Sequence, residues 1–91
     1  MDFSNKTALI TGAGQGVGEG IAMALASYGA NVSLIGRTLS KVQRVADEIN
    51  DNGGSATAIQ CDVKDKTSIN NSISSTVSHF KSLNILINNC L

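Results

Sequence analysis

The chain has 91 residues, enough for one small domain, and its three aromatic side chains (Phe3, Tyr28, Phe80) leave the core to Ile, Leu, Val and Ala. A formal net charge of zero argues against bulk nucleic-acid binding, and the two cysteines, Cys61 and Cys90, lack the CxxC spacing of a zinc site or disulfide framework. No run approaches the ~20 apolar residues of a membrane span, and the first residues lack the shape of a signal peptide, so the expectation is a soluble cytoplasmic protein without a membrane or nucleic-acid partner.

Residues 6–11 read as a first strand, and the near-continuous apolarity of Ala8, Leu9 and Ile10 suggests burial on both faces, as in a parallel sheet. A helix follows over 15–28, with Val17, Ile21, Leu25 and Tyr28 at helical spacing and Gly29 placed to cap it. Residues 31–36 form a second strand around Val32, Leu34 and Ile35. A second helix spans 38–52 on the stripe Leu39, Val42, Val45, Ala46 and Ile49, with Gly53 and Gly54 at its end. The third strand is expected at 56–63. The third helix begins near Asp65 and carries Ile69, Ile73, Val77 and Phe80 on one face; its interior is rich in Ser and Asn, so packing rather than propensity must hold it. His79 lies near its end, where a cation suits the helix dipole. Residues 83–88 read as a fourth strand. This βαβαβαβ alternation predicts right-handed crossovers and an α/β, Rossmann-like, doubly wound parallel sheet of order 3-2-1-4.

The stretch Thr11-Gly12-Ala13-Gly14-Gln15-Gly16-Val17-Gly18 lies between the first strand and the first helix. A strand, a glycine-crowded turn and a helix N-terminus make an anion site, because backbone N–H groups point outward and the helix dipole favours a phosphate. The general dinucleotide spacing GxGxxG is not met, since counting from Gly12 its third glycine would fall on Val17. A P-loop is excluded, because no glycine precedes a lysine. The spacing that is met, Thr11-Gly12-xxx-Gly16-x-Gly18, resembles the TGxxxGxG fingerprint of the short-chain dehydrogenase/reductase family. Gly12 would permit the tight turn, Gly16 the approach of the backbone to a pyrophosphate, and Gly18 close helix–strand packing. Gly14, Gln15 and Val17 complete the expected cofactor-contacting turn. An S-adenosylmethionine-dependent methyltransferase ranks lower, because that family usually carries an acid before the loop and another at the end of strand two, where this chain has Thr11 and Gly36-Arg37.

The resemblance carries further residues with it. An NAD site wants an Asp or Glu roughly 20 residues after the turn for the ribose 2′-OH, and an NADP site wants an Arg. Arg37 stands there, with Thr38 able to add a hydroxyl, so NADP is expected over NAD. The resemblance implies that Asp62 accepts from the adenine amine and Val63 packs on the ring; capping of the third helix is the alternative for Asp62. Asn88-Asn89 resembles the start of the family's NNAG motif. Asn88 would steady the sheet, as Thr11 does at the turn, and Asn89 would lie near the cofactor ribose. Cys90 and Leu91 depart from that motif.

Family members transfer hydride between the nicotinamide and a carbonyl or alcohol, using a Ser and a YxxxK pair that come after the fourth strand. The one tyrosine here, Tyr28, has Val32 four residues on, so YxxxK is absent. The expectation is therefore residues 1–91 as the N-terminal, cofactor-binding part of one domain, inactive alone. The alternative is a non-catalytic nucleotide-binding or strand-edge interaction fragment, self-associating through strand four.

Overall fold

The structure, a computed structural model, describes residues 2–89. The elements alternate as β1 (Thr7–Thr11), α1 (Gly16–Ser27), β2 (Asn31–Gly36), α2 (Leu39–Asp51), β3 (Ser55–Gln60), α3 (Lys66–Phe80) and β4 (Ile85–Ile87). All pairings are parallel, and the sheet order is β3-β2-β1-β4. Leu9 at the middle of β1 sits opposite Ser33 of β2 on one side and Leu86 of β4 on the other. Every residue of β1 is buried, as its unbroken apolar run implies for a central parallel strand.

The period-two alternation of the strands sorts the core into two layers. Ala8, Ile10, Val32 and Leu34 face α1 and α2, where Ala22, Val42, Val45, Ala46 and Ile49 close over them. Leu9 and Ile35 face the other way, with Cys61 and the partly buried Ile69 and Ile73 of α3. The stripe expected on α2 is the one the structure buries, apart from Leu39, which is exposed. Gly29 and Gly53 follow α1 and α2 with φ of +98° and +89°, the left-handed exit that glycine adopts without penalty. Lys81 performs the same turn after α3 at φ +67°.

Two helical faces differ from expectation. On α1 the fully buried residues are Gly18 and Ala22, whereas Val17 is 70% exposed and Tyr28 46%. Small side chains bring this helix close to the sheet, and Ile21 and Leu25 of the expected stripe pack, partly buried, against the core beside them. On α3 the fully buried residues are Ser72 and Thr76, while Val77 is exposed. Their hydroxyls donate to carbonyls one turn back, Ser72 Oγ to Ser68 O at 2.9 Å and Thr76 Oγ1 to Ser72 O at 2.8 Å. Thr76 Oγ1 also lies 2.8 Å from Ser33 Oγ on β2, so a buried hydroxyl pair joins helix to sheet.

β2 keeps its expected span, and the other three strands are shorter than theirs. β3 ends at Gln60 rather than residue 63, because the Asp62 carboxylate Oδ1 accepts from the Lys64 amide (3.0 Å) and turns the chain away. β4 covers three residues; before it, Asn84 N donates to Thr7 O and Thr7 N to Asn84 Oδ1, both at 2.9 Å, so a side chain replaces one rung of the ladder. α1 and α2 begin and end one residue inside their expected spans, and α3 starts at Lys66, next to the expected Asp65. Among the described residues, no helix is long and apolar enough to cross a membrane.

Candidate functional site: the glycine turn and its cleft

The strand order reverses between β1 and β4, and the glycine turn leaves β1 at that point. Gly12 takes φ +62° and Gly16 φ +61°, so the turn is built on two left-handed residues. A Cβ on Gly18 would overlap the Gly12 carbonyl oxygen and lie 2.8 Å from Asn89 Nδ2. A Cβ on Gly16 would meet nothing within 4 Å; that position opens on solvent. Gln15 is the N-cap of α1 but its side chain caps nothing, so the first amides of the helix have no side-chain acceptor.

Side chains from two directions hold the turn. From β4, Thr11 Oγ1 accepts from the Asn89 amide at 2.8 Å and donates to Asn88 Oδ1 at 3.1 Å, while Asn89 Nδ2 reaches Gly12 O at 3.5 Å. From α2, Arg44 Nη2 lies 3.4 Å from Gly14 O and 2.9 Å from Glu19 Oε1. That hydrogen bond and the charge of Glu19 raise the guanidinium pKa further. Lys41 Nζ donates to Gln15 Oε1 at 3.1 Å.

A cleft of about 480 Å³ opens beside the turn. Of the residues singled out in the sequence, Gly12, Gly14, Gln15, Gly16, Arg37, Thr38, Asp62, Val63 and Asn89 line it. Val17 and Gly18 lie in the first turn of α1 outside that lining, and Thr11 and Asn88 tie the strand ends together. Cys90 and Leu91 lie outside the described residues. Two cations that no motif marks, Lys41 and Lys64, also face the cleft. Three cations (Arg37, Lys41, Lys64) against one carboxylate (Asp62) make this an anion-favouring surface. Asp65, not Asp62, caps α3, accepting from Thr67 N at 2.9 Å.

The arrangement offers open backbone amides at a helix start, a cationic rim and an apolar wall at Val63. Those are the elements needed to hold a phosphorylated nucleotide. Tyr28 sits at the opposite end of α1, its ring edge-on to Phe3 at 6.2 Å. Among the described residues no cluster of His, Cys, Asp or Glu could hold a metal ion. A larger hollow, about 630 Å³, runs along the solvent face of α2 past Arg44, Asp47 and Glu48; it is a shallow strip of solvated charge.

A parallel sheet of this order, with a glycine turn at its switch point, defines a doubly wound, Rossmann-like fold. Within that class the chain belongs to the short chain dehydrogenase family, whose model matches residues 6–90. The oxidoreductase UcpA of Salmonella typhimurium is 40% identical over 87 residues, covering 96% of this chain and 33% of the relative. The crystal structure of a hydroxysteroid dehydrogenase from Escherichia coli superposes with a TM-score of 0.93 at 33% identity, covering 96% of this chain and 37% of the other. A metagenomic short-chain oxidoreductase crystallised in complex with NADP gives a TM-score of 0.91 at 33% identity, over 97% of this chain and 40% of that one. The chain thus spans about a third of the length of the curated relatives it matches. Family membership also disposes of the methyltransferase reading.

Proposed function

We propose that this chain is the cofactor-binding part of a cytoplasmic, NADP-dependent short-chain oxidoreductase acting on a carbonyl or alcohol substrate. The observation that carries the reading is the placement of Arg37 on the same cleft as the glycine turn, in a chain with no carboxylate at the end of β2. Among the described residues Arg37 has no ion pair, so its fork is available to a phosphate. A neighbouring structure of the same family holding NADP supports it. The residues present fit the cofactor: the open position at Gly16 leaves room for a pyrophosphate, and the amides opening α1 would donate to it. Arg37 and Thr38 would hold the 2′-phosphate. Asp62 would accept from the adenine amine with its second oxygen, the first being engaged by Lys64 N, and Val63 would lie against the ring. Asn89 would reach the ribose, its backbone amide fixed by Thr11. NADP, when bound, supplies the hydride donor or acceptor. The proton-transferring Ser and YxxxK groups of the family have no counterpart in these residues, so the chain is expected to bind cofactor without turnover.

Titration of the purified chain with NADPH and with NADH tests this directly. Saturable NADPH binding, tighter than NADH binding, is the expected result, and carbonyl reduction by this chain alone would overturn the inactive-part reading. A second reading, a strand-edge interaction fragment, is favoured by one observation: β4 is an edge of the sheet and its Leu86 is 62% exposed. Dimers or larger species on a sizing column, without nucleotide binding, would support it instead.

A further inference from the structure

We infer that Lys41 is a second cation for the cofactor's 2′-phosphate, held beside the cleft by Gln15 until that phosphate arrives. The inference rests on the NADP reading above and adds a specificity-determining residue to it. Lys41 lies in the first turn of α2, four residues beyond Arg37, and both line the same cleft. Its root lies beside the glycine turn: a Cβ on Gly14 would come within 2.9 Å of Lys41 Cβ. The side chain is exposed, and its ammonium rests 3.1 Å from Gln15 Oε1.

The partner's chemistry is the informative feature. On the same helix, Arg44 is tied to two carboxylates, Glu19 at 2.9 Å and Glu48 at 3.6 Å, and its charge is spent on bracing α1 against α2. Lys41 is instead held by a neutral amide, and among the described residues it has no carboxylate partner. An ammonium leaving a neutral acceptor for a phosphate dianion exchanges a hydrogen bond with one ionised partner for one in which both partners are ionised and attract as opposite charges. The exchange therefore runs toward the ligand, and Gln15 keeps the lysine extended over the cleft beforehand. A carboxylate at position 15 would neutralise the cation instead. Lysine suits this task as a mobile point charge, while Arg37 provides the planar fork.

The test uses two probes that differ only in the phosphate concerned, 2′,5′-ADP (adenosine 2′,5′-bisphosphate) and 5′-AMP, titrated calorimetrically into the chain and into Lys41→Met and Lys41→Arg. Methionine preserves the apolar stem over Gly14, and thermal unfolding by circular dichroism verifies that both variants are folded. Lys41→Met is expected to weaken 2′,5′-ADP binding about tenfold and to leave 5′-AMP within about twofold, with Lys41→Arg restoring most of the loss. Equal weakening of both probes would place Lys41 on the shared 5′-phosphate and overturn the inference, as would no weakening of either. If the unsubstituted chain shows no preference for 2′,5′-ADP over 5′-AMP, the NADP reading itself fails, an outcome visible before any substitution is made.

Discussion

Two glycines on α1, two residues apart, are expected to respond in opposite directions to the same added methyl group. At Gly18 the new Cβ would overlap the Gly12 carbonyl oxygen and sit 2.8 Å from both Gly12 C and Asn89 Nδ2. The obstacle is backbone at the turn, which cannot swing aside as a flexible side-chain tip would. Overpacking of this kind costs about 3 kcal/mol at the upper end of its usual range. Alanine recovers about 1 kcal/mol of helix propensity over glycine, which leaves Gly18→Ala destabilised by about 2 kcal/mol. At Gly20 an added Cβ meets nothing within 4 Å and φ is not left-handed, so Gly20→Ala keeps only the gain, about 0.5–1 kcal/mol. Urea unfolding followed by far-ultraviolet circular dichroism measures both. For a domain of this size Gly18→Ala is expected to lower Tm by roughly 10 °C while Gly20→Ala raises it by a few degrees. A Gly18→Ala protein as stable as the parent would refute the claim that α1 docks through direct contact with the glycine turn.

The buried hydroxyl pair of Thr76 and Ser33, both 0% exposed, allows a second test. Thr76→Val should cost about 1–3 kcal/mol in urea unfolding because it strands the Ser33 hydroxyl, and adding Ser33→Ala should recover part of that loss. Equal and additive losses would show that the two hydroxyls do not act as a pair. Gly16→Val should abolish NADPH binding, since its Cβ fills the open approach above α1, with about 1–2 kcal/mol of stability lost to the positive φ. Gly53→Val is the control: it shares the positive φ and open surroundings but lies after α2, and it should lose similar stability and keep NADPH binding.

Backbone-dictated features of this fold were the ones legible in the sequence. Thr11, Gly12, Gly16 and Gly18 announce a turn because glycine takes the left-handed φ at Gly12 and Gly16 without the cost other residues bear, and because a Cβ at Gly18 would overlap the turn. The apolar run of β1 and the stripe of α2 translate directly into burial, so element order and sheet order follow from them. Hydrophobic periodicity found part of the inner faces of α1 and α3, where Ile21, Leu25, Ile69 and Ile73 pack against the core, and missed their most buried residues for a shared reason. Gly18 and Ala22 carry almost no hydropathy signal, and Ser72 and Thr76 carry the wrong one, yet these side chains are small enough, or satisfied enough by carbonyls one turn back, to sit against the sheet. The end of β3 was hidden because Asp62 stops the strand through a side-chain bond to an amide two residues on. Lys41 and Lys64 had no motif to mark them; only the path of the chain brings them to the cleft beside Arg37.

The identity of the group opposite Arg37 decides whether this is an NADP site, and a pair of titrations addresses it. NADPH and NADH binding should be measured by calorimetry on the chain and on Arg37→Asp under one salt condition, since exposed charges are screened. The parent is expected to prefer NADPH by about tenfold or more, and Arg37→Asp to lose that preference and relatively favour NADH, through loss of the guanidinium and gain of an acceptor for the ribose 2′-OH. Equal affinities for the two cofactors in both proteins would contradict the assignment.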